Sequence, residues 1–200
     1  MKEGLSKTFV YTMTIENQRQ EVIDRIAQGK LDDAEDICRE GFEETENPEF
    51  LYLLAVVKTE QKQFQEAAEY FALAIAALPD RADLAYGHGV ALQALGDTKT
   101  AIEQWQRALA LDPEHQDAGF NLGKGHNDLG REDDACKAYE TLLAINPGHQ
   151  PALYNLANLH FRNDEYDRAG DLLERLVGQN PNHLEGWINL GLTLKALGKL

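Results

Sequence analysis

Two glycines flank a lysine at positions 123–125, and this is the first stretch whose residue types could do chemistry. A phosphate-binding loop has a glycine five residues before its second glycine, and a serine or threonine after its lysine. Ala118 and Gly125 stand at those two places. The surrounding residues follow a helical pattern. We therefore interpret the stretch as part of a packed helix and not as a phosphate site.

The histidines and acidic residues are the other candidates for chemistry. His126 and His160 recur at one spacing, but a zinc site takes about four ligands, so packed imidazoles are the better interpretation. Asp133 and Asp134 suit the positive end of a helix dipole and do not form an acid–base pair. The sequence thus predicts no catalytic residue, no bound metal and no cofactor, and we expect the chain not to be an enzyme.

Charge and composition exclude several classes of partner. The 200 residues carry a formal net charge of -15, whereas binding to nucleic acid or to an anionic membrane surface needs clustered basic residues. No apolar run is long enough to cross a bilayer, and the N-terminus lacks a secretory signal pattern. Cys38 and Cys136 lie in no metal or redox spacing, which favours reduced thiols. We expect an acidic, cytoplasmic protein with a protein or peptide as its partner.

Several residue types recur every 34 residues, which indicates a solenoid of stacked repeats. One two-helix repeat cannot bury its apolar face, so neighbouring repeats must stack to form a continuous core. The recurring residues are Pro79, Pro113, Pro147 and Pro181; Ala67, Ala101, Ala135 and Ala169; His115, His149 and His183; and Gly96 and Gly130.

Each period predicts a pair of helices. We expect Gly96, Gly130 and Gly198 to take the left-handed conformation that ends a first helix. Each proline should stop a second helix, because it disfavours helical backbone in the residue before it. The histidines after the prolines are predicted to lie in loops. Small residues should occupy the places where paired helices approach closely, and these are Ala55, Gly89, Gly123, Ala157 and Gly191.

The order of these residues resembles the tetratricopeptide repeat, in which a bulky apolar residue precedes Leu-Gly, Ala, an aromatic residue and Pro. The resemblance implies an all-α fold, a right-handed α-α superhelical solenoid of helical hairpins with about five repeats and an additional helix. The fourth repeat carries the pattern as Leu122-Gly123, Ala135, Tyr139 and Pro147, and the last copy begins with Trp187 and Leu190-Gly191.

The predicted boundaries follow the period. They give an N-terminal segment at 1–14, a degenerate first repeat at 15–47, repeats at 48–81, 82–115, 116–149 and 150–183, and a first helix of a sixth repeat, or a capping helix, at 184–200. On this last helix Leu190, Leu194 and Leu197 form an apolar stripe, which a capping helix should not expose.

In the tetratricopeptide family the first helices of successive repeats line a concave face. The resemblance therefore implies that an extended peptide or a partner helix binds in this groove. Tyrosine suits such recognition because it offers apolar area with a polar tip. The candidate peptide-binding residues are Tyr52, Tyr86, Phe120, Asn121, Lys124, Tyr154, Asn155, Asn158, Arg162 and Asn189.

Three of these candidates form an asparagine row, Asn121, Asn155 and Asn189, at successive 34-residue steps. An asparagine amide can pair with a peptide backbone without reading its sequence. The row resembles the asparagine ladder of the O-linked N-acetylglucosamine transferases. The carboxylate clamp of chaperone-binding members is not expected, because only Lys124 and Asn158 match it.

Two other functions stay open beside the scaffold. The last helix presents an apolar edge that a second copy of the chain could cover, which would make the array a self-assembling homo-oligomer. Alternatively, the array is the targeting arm of a longer enzyme, such as a glycosyltransferase or methyltransferase, that continues beyond residue 200.

Overall fold

The computed structural model describes the backbone of residues 2–199 and the side chains of residues 15–199. All regular elements in this part are helices, which confirms the predicted all-α class. The side chains of the predicted N-terminal segment, 1–14, lie outside the described residues. The helices are α1 (Lys2–Ala27), α2 (Leu31–Thr45), α3 (Glu49–Glu60), α4 (Phe64–Ala77), α5 (Ala82–Ala94), α6 (Thr98–Leu111), α7 (Gln116–Asp128), α8 (Glu132–Ile145), α9 (Gln150–Arg162), α10 (Tyr166–Gln179) and α11 (Leu184–Ala196).

The chain divides into two compact modules. The N-terminal module is Met1–Gln104 and the C-terminal module is Trp105–Leu200, so α6 carries the boundary. Within each module, helices that follow one another in the chain pack together in pairs. The first helices of neighbouring repeats also touch each other, as α3 does with α5 and α9 with α11.

The turn after each first helix shows what glycine does in this repeat. Gly96, Gly130 and Gly198 have φ of +85°, +69° and +66°, as predicted. The same turn position holds Lys62 in the second repeat and Asp164 in the fifth, with φ of 60° and 59°. A side chain in the left-handed region crowds its own backbone, so these two turns form at a conformational cost that glycine avoids.

The turns after the second helices α6, α8 and α10 contain a helix cap that the sequence pattern did not reveal. His149 and His183 are not simple loop residues, because they are the N-cap residues of α9 and α11. The Nδ1 atom of His149 accepts a hydrogen bond from the backbone N–H of Ala152 at 3.2 Å, and His183 does the same with Gly186 at 3.0 Å. His115 caps α7 in the same way. Each imidazole thus satisfies one backbone donor that a helix start leaves without a partner.

The core of the C-terminal module forms where the helix pairs stack. Leu153 on α9 and Leu173 on α10 are almost completely buried, and Leu176 is as well. Full burial of a leucine side chain contributes about 1.5–3 kcal/mol to folding. In the N-terminal module, Phe50 and Cys38 belong to the corresponding core between α1, α2 and α3. Burial raises the pKa of the Cys38 thiol to about 12, so this cysteine is held as an inert thiol.

Gly123 explains why one position of the repeat must be small. A Cβ atom added to Gly123 would lie 2.5 Å from Cε1 of Tyr139, whose ring is buried on the facing helix α8. Gly191 occupies the same repeat position on α11, where an added Cβ would meet nothing within 4 Å. The predicted close approach is therefore present at Gly123, and the prediction was wrong for Gly191.

The apolar stripe predicted on the last helix points mostly inward, which corrects the sequence interpretation. Leu190 is buried and Leu194 is half-buried, because both pack on the core of the C-terminal module. Leu197 is also half-buried. A different face of α11 is exposed, and it consists of Leu184, Trp187, Ile188 and Leu192.

A buried lysine of the N-terminal module links α3 to α2 and to the residue that caps α4. Lys58 on α3 is only 4% exposed, and its Nζ donates to Glu35 on α2 at 2.9 Å and to Gln63 at 2.8 Å. Burial alone would raise the pKa of Glu35, but hydrogen bonds from Lys58, Arg39 and Gln61 outweigh it and lower that pKa to about 2. The charged pair therefore ties the first repeat to the second.

The Gly123 contact predicts opposite effects for one substitution at two equivalent positions. Gly123→Ala should lower the free energy of unfolding by about 1–3 kcal/mol, because the methyl group overlaps the fixed ring of Tyr139. Gly191→Ala should raise it by about 0.5–1 kcal/mol, because alanine is the better helix former and the space is open. Urea denaturation measures both, and equal effects of the two changes would contradict the close-approach explanation.

The Glu35–Lys58 pair predicts a specific acid sensitivity. A carboxylate whose folded pKa is lowered stabilises the protein above its ordinary value, here 4.5, and loses that contribution as the pH falls toward about 2. Glu35→Gln should therefore be less stable than the wild type at pH 7, and the gap should shrink between pH 4.5 and 2. Urea midpoints at a series of pH values measure the gap. Glu43→Gln, an exposed change on the same helix, is the control and should leave no such pH-dependent gap.

Candidate functional site

The asparagine row lies on the first helices α7, α9 and α11 of the C-terminal module, and two of its members already hold a neighbouring ring. Asn155 donates through Nδ2 to the hydroxyl of Tyr139 at 3.2 Å. The Tyr139 ring is buried, and burial raises its pKa to about 12, so the hydroxyl stays neutral and needs a partner. Part of the asparagine amide is thus spent on the core.

Asn189 repeats this arrangement one step along the chain. Its Nδ2 atom donates to Asn158 Oδ1 at 2.7 Å and to the hydroxyl of Tyr154 at 3.4 Å. The donor group therefore ties α11 to α9. Within residues 15–199, no side chain or backbone group donates to the side-chain Oδ1 atoms of Asn155 and Asn189. Both asparagines are half-buried, so their oxygens can still serve as acceptors.

Asn121, the first member of the row, differs from the other two. It is half-buried on α7, and its side chain makes no hydrogen bond with any residue of the described part of the chain. Its amide therefore keeps both its donors and its acceptor for another molecule. This makes Asn121 the member best suited to test recognition without disturbing the fold.

The aromatic candidates of the C-terminal module pack against the rings of the capping histidines. The ring centroid of Phe120 lies 6.0 Å from that of Tyr139 and 5.4 Å from that of His149. Tyr154 has the same relation to His183, at 5.5 Å. Both rings are half-buried. The sequence pattern predicted these two rings. It did not predict that Tyr139, His149 and His183 position them, although the 34-residue spacing of the histidines is visible in the sequence.

The two basic candidates differ in how far they are occupied. Arg162 on α9 pairs with Glu132 at 2.6 Å and donates to Asn127 Oδ1 at 3.1 Å, so it links the fifth repeat to the fourth. Lys124 on α7 is exposed, and it forms no ion pair or hydrogen bond within residues 15–199. Lys124 is therefore the candidate cation that can meet an incoming acidic group.

Tyr52 and Tyr86 belong to the N-terminal module, on α3 and α5. The Arg81 guanidinium lies over the Tyr52 ring, 4.7 Å from its centroid, while Asp83 and Glu49 hold Arg81 in place. Burial, with the nearby Asp83 charge, raises the pKa of Tyr52. Tyr52 is therefore a fixed, partly exposed ring. Tyr86 is half-buried.

No group of three or more His, Cys, Asp or Glu in the described part could hold a metal ion. None of the described helices has the length and apolar character needed to cross a bilayer. His126 and His160 are both buried, as predicted, and the Gly123–Gly125 stretch lies inside α7.

The protein families that match this chain are families of the repeat that its sequence pattern resembles. Two tetratricopeptide repeat families match the chain, one over residues 19–82 and 86–150 and the other over 126–190. No curated protein matches the sequence. The match to the first family alone covers more than half of the chain.

Solved structures share the fold at low sequence identity. A structure of Pseudomonas aeruginosa pilF has a TM-score of 0.83 at 18% identity, and the match covers 94% of this chain and 86% of that one. YrrB, described as a tetratricopeptide protein with an unusual peptide-binding site, has a TM-score of 0.73 at 22% identity, and the match covers 89% of this chain and 96% of that one. MamA from Desulfovibrio magneticus RS-1 has a TM-score of 0.75 at 17% identity, and the match covers 84% of this chain and 96% of that one.

These likenesses concern the fold, since all three identities are below 25%. The family matches rest on the sequence itself and extend through the repeats that the 34-residue period predicts. The chain belongs to the tetratricopeptide repeat family.

Proposed function

We propose that this protein is an interaction scaffold whose C-terminal module binds an extended peptide along its first helices, α7, α9 and α11. Tetratricopeptide arrays serve generally to bind protein partners, and YrrB shows that a related fold can hold a peptide. The observation that carries the proposal is the asparagine row, which keeps carbonyl acceptors on α9 and α11 and a complete amide on α7.

The row matches the chemistry of a peptide backbone. An extended backbone offers an N–H donor and a carbonyl acceptor at each residue, and it bonds to amide side chains whatever its sequence. Asn155 and Asn189 accept from the peptide through their side-chain oxygens. The Asn189 amino group is occupied by Asn158 and Tyr154, whereas Asn155 keeps one N–H beside the one that it donates to Tyr139. Asn121 both donates and accepts. Each net hydrogen bond of this kind contributes about 0.5–1.5 kcal/mol.

The neighbouring side chains give the proposed site its selectivity. The half-buried rings of Phe120 and Tyr154 provide rigid apolar surface, which costs little entropy on binding. Lys124 is exposed on α7 and attracts one acidic side chain of the peptide. We therefore propose a peptide with apolar residues and at least one aspartate or glutamate in the part that lies on α7.

We also propose a second function, self-association through α11. Leu184, Trp187, Ile188 and Leu192 are each about half exposed or more and recur at three- and four-residue spacing, so they form one apolar face. The indole N–H of Trp187 donates to the carbonyl of Pro181 at 2.9 Å, which fixes the ring on the surface. Contiguous exposed apolar area of this kind marks interaction surfaces.

Peptide recognition predicts that Asn121→Ala weakens binding and leaves the fold intact. Peptides selected from a random twelve-residue phage library on the wild-type protein are the probes. Their Kd, measured by fluorescence anisotropy, should rise about fivefold, the factor of one net hydrogen bond. The free energy of unfolding should not change. Asn182→Ala, at an exposed turn, is the matched control, and equal Kd values for all three proteins would reject the asparagine row.

The aromatic candidates predict a larger loss. Phe120→Ala combined with Tyr154→Ala should raise the Kd by about tenfold or more, because two anchoring rings are removed. Circular dichroism should still show a helical protein, since both rings are only half-buried. Unchanged affinity in the folded double variant would mean that the peptide lies elsewhere on the protein.

Self-association predicts that the mass of the wild-type protein rises with concentration. Light scattering should detect this rise, and Leu192→Gln should abolish it by placing an amide on the exposed apolar face. Leu73→Gln, at an exposed position on α4, controls for the loss of any surface leucine. A wild-type protein that stays monomeric at millimolar concentration would rule the second function out.

A further inference from the structure

A cleft of about 270 Å³ opens in the C-terminal module between the end of α6 and the helices α7 and α8. Its lining is mainly apolar, and most of the lining residues belong to α7 and α8. The residues that matter for the argument are Leu109, Gly119, Leu122, His126, Leu142 and Ile145. None of them belongs to the proposed peptide site.

At the cleft, the fourth repeat lacks a side chain that the fifth repeat has. Gly119 stands at the repeat position that Leu153 occupies in the fifth repeat, where it is completely buried. A Cβ atom added to Gly119 would lie 3.7 Å from the Cβ of Leu142, at ordinary van der Waals distance. A methyl group at Gly119 would therefore fit without displacing Leu142, and Gly119 is part of the lining of the cleft.

His126 is one of the polar residues in the lining of this mainly apolar cleft. The residue is only 7% exposed, and its Nδ1 atom is buried without a hydrogen-bond partner in the described part of the chain. Burial lowers the pKa of His126, so the ring is neutral near pH 7 and one of its nitrogens accepts a hydrogen bond. A buried acceptor without a partner is unfavourable, and a ligand that donates to it removes that penalty.

The next repeat shows what normally satisfies this histidine. His160 is the equivalent residue, and its Nδ1 lies 2.5 Å from Glu165 Oε2. In that pair Nδ1 of His160 donates to the carboxylate. The fourth repeat has Arg131 at the place of Glu165, so no carboxylate holds a proton on Nδ1 of His126, and the neutral ring is free to carry its proton on Nε2 and to accept at Nδ1. The same repeat thus lacks both the side chain that fills the cleft and the side chain that pairs with the histidine.

Size and polarity together define the class of ligand. An apolar protein cavity of about 150 Å³ holds a benzene molecule, so a cleft of about 270 Å³ has room for one or two fused rings. Ligand sites are typically apolar with a few polar groups that fix orientation. Lys137 and Asp134 on α8 also line the cleft. The Lys137 Nζ and Asp134 Oδ1 atoms lie 3.9 Å apart, so the two charges largely balance each other.

We propose that the cleft at Gly119 binds a neutral aromatic group that carries one N–H or O–H donor, such as an indole or a phenol. The ring fills the space above Gly119, and its donor bonds to Nδ1 of His126. The group is either a free small molecule or the tryptophan or tyrosine side chain of a partner protein, since the chemistry that recognises both is the same.

The first test uses indole and 1-methylindole, which differ in the N–H donor. Calorimetric titration should show that indole binds about fivefold more tightly, the factor that one net hydrogen bond supplies. His126→Leu, which copies Leu92 at the equivalent place in the third repeat, should bind the two compounds equally. Equal binding to the wild type would overturn the role of His126, and no indole binding at millimolar concentration would overturn the proposal.

The second test fills the cleft. Gly119→Leu, which copies Leu153, should abolish indole binding and also raise the Tm, so that a loss of binding cannot be attributed to unfolding. Gly178→Leu adds the same side chain on α10, where a Cβ would meet nothing within 4 Å, and should leave indole binding unchanged. Undiminished binding to a folded Gly119→Leu variant would place indole outside the cleft and reject the proposal.

A third measurement distinguishes the two sources of the ligand. N-acetyltryptophanamide carries the indole ring with a backbone attached. Binding as tight as that of indole would support a partner's side chain, because the cleft then admits a ring that is fixed to a chain. Binding of indole but not of this amide would support a free small molecule.

Discussion

The close approach of two helices within each repeat is the constraint on which the rest of the structure depends. A helical hairpin exposes too much apolar surface to be stable alone, so its two helices must pack tightly and then cover the next pair. In the fourth repeat, the absence of a side chain at Gly123 lets the ring of Tyr139 lie against the backbone of α7. The Tyr139 hydroxyl then meets Asn155 on α9. One small residue thus fixes both the pair and its connection to the following repeat.

This chain of contacts joins stability to recognition. The same asparagines that could face a peptide also satisfy buried hydroxyl groups, so they cannot be exchanged without consequences for the core. Asn121 lies outside this network, and its substitution separates the two roles. A repeat protein of this kind obtains a regular polar surface as a by-product of the hydrogen bonds that its stacking requires.

The sequence predicted what repeats and missed what departs from the repeat. The 34-residue period located the helices and the positive-φ glycines, because helix endings obey local backbone geometry. It could not show that Leu190 and Leu194 face inward, since that depends on which face of α11 meets α10. Nor could it show that His160 pairs with Glu165 while His126 has no partner, because two similar sequences place different groups five residues later.

The capping histidines carry a consequence for the chemical form of their rings. Because Nδ1 of His115, His149 and His183 accepts a backbone N–H, the proton of each neutral ring must reside on Nε2. The start of every first helix in the C-terminal module thus selects one tautomer. The outcome is a periodic set of imidazole N–H donors, each fixed in direction by the backbone turn that it closes.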